Sequence, residues 1–100
     1  MSELSTNLEA LAPIRARFLE QPLGHFIAGA STPGVSGELF ANESPIDQTS
    51  LGAVAAGSAE DVDIACQAAA AAFPEWAAMP GAQRRELLHK VADAIVANAR

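Results

Sequence analysis

The segment from Ser58 to Ile95 constrains this chain most. It reads as two helices with a short break. Ser58 and Asp61 fit the Ser-x-x-acid pattern, in which each side chain satisfies a free backbone donor at a helix start. Glu60, Asp61 and Asp63 place negative charge at the positive end of the helix dipole. Val62, Cys66, Ala69 and Phe73 then recur at i, i+4, i+7 and i+11, on one face. Ile64 and Ala68 lie on another face. With small residues all round, such a helix is built to touch structure on more than one side. Pro74 is expected to end or kink it, with Trp76 and Met79 sealing the corner. The spacing predicts a second helix from about Pro80 or Ala82 to the C-terminus, with Leu87, Leu88, Val91, Ala92 and Ile95 on one face. Glu86 and Lys90 form an i,i+4 pair in the favourable order, worth about 0.3 kcal/mol.

The N-terminal half is less regular. Leu4, Leu8, Leu11, Phe18 and Leu19 give residues 2–22 a loose helical spacing, which Pro13 is expected to interrupt and Pro22 to close. This reads as a helical but loosely attached extension. Gly24 to Ala30 reads as a short strand. The turn formers of Ser31 to Gly37 follow, and Glu38 to Asn42 reads as the returning strand, making a hairpin with a long loop. Ser44-Pro45-Ile46-Asp47 is a turn. Leu51 to Ala56 is a third extended piece, ended by Gly57.

Charge and composition exclude several roles. A net charge of −6 argues against a nucleic-acid surface, which needs clustered Lys and Arg to release counterions. It argues equally against an anionic membrane surface. Residues 1–20 carry Glu3, Glu9 and Glu20, so no apolar targeting segment is visible there. No run approaches the ~20 apolar residues of a membrane span. A single cysteine cannot form an intrachain disulfide, which fits a reducing, cytoplasmic setting. One hundred residues allow one small domain or part of a larger one. Half the residues are hydrophobic, but alanine supplies nearly half of those and adds little core volume. The expected core is thin for an independent fold.

Taken in order, the landmarks resemble the N-terminal segment of the aldehyde dehydrogenase superfamily. They are a Phe26-Ile27-x-Gly29 strand, a Gly37-x-x-Phe40 strand running into the Pro45 turn, and Leu51-Gly52-x-Val54. Then come the Asp61-Val62-Asp63 helix with Ala72, Phe73 and Trp76, and a final helix with Arg84, Leu88 and Asp93. Ser44-Pro45 stands where many relatives have Asn-Pro. The likeness runs from about His25 to Arg100, with a leaning toward semialdehyde dehydrogenases of aromatic breakdown, the hydroxymuconic type. It implies an α/β fold: the N-terminal part of a Rossmann-like cofactor domain, with a loose extension, a β-hairpin, a short third strand and two helices. It implies residues 1–22 as an N-terminal extension and 23–100 as the incomplete opening of the cofactor-binding domain.

The resemblance also implies a reaction. The family oxidises an aldehyde with NAD or NADP. A cysteine thiolate attacks the carbonyl, hydride passes to the nicotinamide, and a glutamate activates water. Those residues would lie beyond Arg100, so no catalytic, cofactor-binding or metal-binding residue is expected here. The chain finishes inside a helical pattern, without a Gly cap or Pro stop, and reads as truncated. Its expected partners are the remainder of its own chain, a small aldehyde in the full-length protein, and further copies in a homo-oligomer. The competing expectation is a small stand-alone protein whose helical hairpin binds a partner and has no enzymatic activity.

Several residues invite functional readings that the pattern does not support. Cys66 has no cation or His at i±3 or i±4 to favour a thiolate, and Asp63 at i−3 opposes one, so it reads as a small apolar helix residue. His25 and His89 lack metal-ligand spacing. Asp61 and Asp63, at i and i+2, diverge on a helix and read as helix-start charge. Gly34 and Gly37 are followed by neither phosphate-loop pattern. Arg84, beside Arg85, takes the family's Arg position and reads as a salt-bridge donor. Some relatives hold a monovalent cation through carbonyls before the Pro turn. That would implicate Asn42 and Glu43, but the remaining ligands are missing.

Overall fold

A computed structural model describes residues 2–99. The helix α1 (Glu3–Glu20) is followed by the strands β1 (His25–Ile27), β2 (Ala30–Thr32), β3 (Leu39–Glu43) and β4 (Ser50–Ala55), then by α2 (Ala59–Ala78) and α3 (Gly81–Ala97). The mixed α/β composition is as expected, with two two-stranded antiparallel sheets and three helices. No helix among the described residues is long and apolar enough to cross a membrane. The chain divides into two compact units, with the boundary between Ala65 and Cys66, inside α2.

In the first unit, Ser2 caps α1 by accepting a hydrogen bond from the Ser5 amide at 3.1 Å. Pro13 was expected to interrupt this helix, and it does not. Proline removes only the bond to the carbonyl of Glu9, and both residues are exposed, so water can satisfy that oxygen. The helix is anchored as well as capped. It packs on β4, where the Arg15 guanidinium donates to the Ser50 carbonyl at 3.2 Å. Gly52 of β4 lies directly beneath the Phe18 carbonyl, and a Cβ there would overlap that oxygen.

The strand pairing differs from expectation. Gly24–Ala30 was expected to pair with Glu38–Asn42. Instead β1 pairs with β2, register His25↔Thr32 to Ile27↔Ala30, so the chain reverses inside the stretch read as one strand, and Ser31 and Thr32, read as loop, belong to β2. The reversal needs only Ala28 and Gly29, both at positive φ (52° and 79°), the signature of a tight two-residue hairpin turn. Strand β3 instead pairs with β4, from Leu39↔Ala55 to Glu43↔Ser50, with an irregularity between Asn42 and Glu43. Their turn is held by Asp47, whose carboxylate accepts from the Thr49 amide and hydroxyl at 3.1 and 2.8 Å. Leu23 extends β4 on its other edge through bonds to Ala53 and Ala55 at 2.9 and 2.8 Å. Strand β4 thus carries β3, Leu23 and α1 together.

In the second unit, α2 continues through Pro74 to Ala78, where Pro74 was expected to end or kink it. Pro80 then precedes α3 and accepts from the Gln83 and Arg84 amides through its carbonyl. Asn98 closes α3, its side-chain amide donating to the Ala94 carbonyl at 2.8 Å. Large apolar residues remain uncovered: Phe73 is 65% exposed and Ile95 65%.

Two substitutions test this description. Ala28→Asn places a residue tolerant of positive φ in the hairpin turn. It should stabilise the β1–β2 hairpin by about 1 kcal/mol, read as roughly fivefold slower amide hydrogen exchange in its strands. Gly52→Ala should displace α1 from β4, since φ here is 107° and no space exists for a Cβ. The readouts are lower helicity and lost nuclear Overhauser contacts between residues 18 and 52. Retention of both would refute the close approach.

Candidate functional site

The most concentrated polar geometry lies where α2 begins. Ser58 precedes the helix, and Asp61 sits on its first turn. The Ser58 hydroxyl accepts from the Asp61 amide at 3.3 Å. The Asp61 carboxylate reaches back to accept from the Ser58 amide and hydroxyl, both at 2.9 Å. This is the reciprocal cap expected from the sequence. The second carboxylate oxygen accepts from the Val35 amide at 2.9 Å, so Asp61 also ties the 33–37 loop to the helix. Asp61 is 6% exposed. Gly34 packs against it: a Cβ there would come to 3.0 Å from the Ala56 carbonyl and 3.5 Å from the Asp61 carboxylate.

Three donors on one carboxylate hold it ionised. The Asp61 pKa lies below its ordinary value, chiefly through the Val35 amide, then the Ser58 amide and hydroxyl, against an opposing contribution from burial. His25 adds a smaller lowering influence, with its Nε2 at 3.8 Å from the carboxylate. That nitrogen is buried and has no hydrogen-bond partner among the described residues. A cavity of about 290 Å³ adjoins the pair, lined by His25, Phe26, Ile27, Gly57, Asp61, Val62 and Ala65.

The arrangement joins the 33–37 loop to the start of α2. Cys66 is exposed on α2, and His89 is exposed on α3. Asp61 is buried and Asp63 exposed, so the two acids do diverge. The 33–37 loop does not fit a dinucleotide phosphate. Its Val35 amide donates to Asp61 and its Gly37 amide to the Gly34 carbonyl, with a carboxylate standing against it. Asn42 and Glu43 are exposed on β3, and no cluster of three potential metal-ligating side chains occurs among the described residues. Arg84 is half-buried and has no ion pair among the described residues. Its side chain folds back over Gly81 at the start of its own helix. The links from Asp61 to Val35 and His25 were not visible in the sequence. The acid was legible as a cap, but partners 26 and 36 positions upstream leave no periodic signal.

The lowered Asp61 pKa gives a sign. Its contribution to stability is fully present above the unfolded value, about 3.9, and is lost as pH falls through the lower folded value. In an acid titration followed by the Val35 amide resonance, the joint should therefore persist at pH 4 and release only below that. Asp61→Asn should remove this acid transition. Ser58→Ala should cost about 1 kcal/mol of helix stability, measured as lower protection of the first turn of α2.

Comparison with known proteins fits these landmarks. The profile of the aldehyde dehydrogenase family matches residues 32–100. The 2-hydroxymuconic semialdehyde dehydrogenase of Pseudomonas putida is 43% identical over 74 residues, covering 73% of this chain and 15% of that protein. The vanillin dehydrogenase of Pseudomonas fluorescens is 38% identical over 81 residues, covering 81% of this chain and 16% of that one. Among solved structures, HpcC from Thermus thermophilus superposes with a TM-score of 0.87 at 36% identity, over 92% of this chain and 18% of its own. The chain thus spans less than a fifth of the length of these relatives. The chain belongs to the aldehyde dehydrogenase family.

Proposed function

We propose that this chain is the opening segment of an NAD(P)-dependent aldehyde dehydrogenase that oxidises a small aldehyde or semialdehyde to the carboxylic acid. Its own role is scaffolding. The thiolate nucleophile, the water-activating glutamate and the nicotinamide site are supplied by polypeptide outside these 100 residues. The family match supports the reaction class, and the likeness to the Pseudomonas putida enzyme supports a semialdehyde substrate.

The observation that carries the scaffolding role is uncovered surface. Ala55 is the only buried hydrophobic residue among those described, while Phe26, Phe40, Phe73, Leu88 and Val96 are all at least half exposed. Faces of that extent are the inner surfaces of a larger domain, and relatives several times longer provide one. A cytoplasmic setting is part of the same reading, resting on the single Cys66, and a homo-oligomeric enzyme rests on family likeness.

Thermal unfolding of the isolated chain, followed by circular dichroism, tests the proposal. The expected outcome is a broad transition with partial helicity, because the apolar faces lack their cover. The chain mixed with an aldehyde and NAD or NADP should yield no reduced nicotinamide. A sharp cooperative melt would overturn the scaffolding role, and turnover by the chain alone would overturn the placement of the chemistry elsewhere.

A further inference from the structure

His25 takes no part in the cap that Ser58 and Asp61 form, yet its ring is built into the same joint. It lies against two glycines: a Cβ at Gly34 would come to 3.5 Å from its Nε2, and one at Gly57 to 3.7 Å from its Cε1. Nε2 stands 3.8 Å from an Asp61 carboxylate oxygen. That is too long for a hydrogen bond and close enough for a strong interaction between charges. The oxygen it faces accepts from the Ser58 amide and hydroxyl. Nε2 itself is buried and has no hydrogen-bond partner among the described residues. The titratable groups around the ring are acids. β2 and the 33–37 loop carry no titratable side chain. The start of α2 presents Asp61 at ion-pair distance and carries Glu60 and Asp63 exposed. Glu38, whose carbonyl accepts from the Ala56 amide, is exposed as well. The adjoining cavity is lined by no titratable group besides His25 and Asp61.

We propose that His25 and Asp61 form a proton-operated latch, closed when the imidazole is charged and loose when it is neutral, which sets how firmly β1 and the 33–37 loop hold the start of α2. A neutral ring offers the carboxylate only a dipole. A charged ring sets a full cation against a buried anion, and a small approach turns the contact into a charge-assisted hydrogen bond. Burial of Nε2 opposes the charge, but the His25 side chain keeps 24% of its surface exposed, so that opposition is partial. Asp61 stays ionised well into acid, because the Val35 amide and then the Ser58 amide and hydroxyl lower its pKa. The latch therefore adds stability in mild acid, where the ring is charged, and loses it as rising pH removes the ring's proton. It fails a second time only when falling pH protonates Asp61, below the ordinary carboxylate value. It acts on the joint alone, whatever reaction the full-length protein carries out.

Amide hydrogen exchange of the full-length protein, read peptide by peptide by mass spectrometry, tests the latch. Labelling is compared at about pH 5.5 and about pH 8, with times scaled for the intrinsic pH dependence of amide exchange. Peptides covering residues 25–36 and 58–65 should exchange about threefold more slowly at the lower pH, with residues 81–97 as the internal reference. His25→Gln keeps a polar side chain but cannot titrate, and it should abolish the difference. Equal protection at the two pH values in the unaltered protein would overturn the latch. So would a difference that survives in His25→Gln, which would assign the pH dependence to other groups. Should His25→Gln fail to fold, the unaltered protein decides alone: a gain in protection confined to the two joint peptides supports the latch, and one shared equally by residues 81–97 overturns it.

Discussion

The buried carboxylate of Asp61 holds the start of α2 to the rest of its unit. Three donors converge on it, two from Ser58 and one from Val35. A buried anion is tolerable only when its lone pairs are met, and here they are. One charge thereby satisfies orphan amides at the helix start and pins the loop between β2 and β3. Gly34 allows that loop to come close, since a Cβ there would come to 3.0 Å from the Ala56 carbonyl. His25 brings β1 to the same point without forming a hydrogen bond.

Strand β4 is the second organising element, and it works by backbone more than by side chains. It pairs with β3 along one edge and with Leu23 on the other. Gly52 lets α1 rest on it at backbone distance. Such hydrogen bonds align elements but bury little apolar area, and stability comes mainly from burial. That is why Ala55 alone is buried among the hydrophobic residues described, although the secondary structure is well formed. The 36% identical solved relative superposes over 92% of the chain, so the local geometry agrees with that of a much longer protein.

The uncovered faces are not equivalent. Those on α2 and α3 carry exposed apolar residues such as Phe73, Leu88 and Ile95. The face under α1 differs because it borders a cavity of about 310 Å³, which Arg15 helps to line.

The order of the elements was legible in the sequence because each depends on near neighbours. Ser58 and Asp61 are three residues apart, and the cap they form is local. The apolar spacing of α2 and α3, and the landmarks from Phe26 to Asp93 that marked the family, are likewise properties of the chain read in order. What depended on distant partners was not legible. The hairpin was misplaced because Ala28 tolerates positive φ only inside a formed turn, and Ser31 and Thr32 serve as turn formers or as strand. Pro13 and Pro74 were read as breaks, yet each removes one hydrogen bond that its helix does without. Tertiary structure alone decided that β3 faces β4, that Val35 donates to Asp61, and that Arg15 lies in a cavity. Each joins residues far apart in the chain, and such contacts depend on three-dimensional packing that no periodicity records.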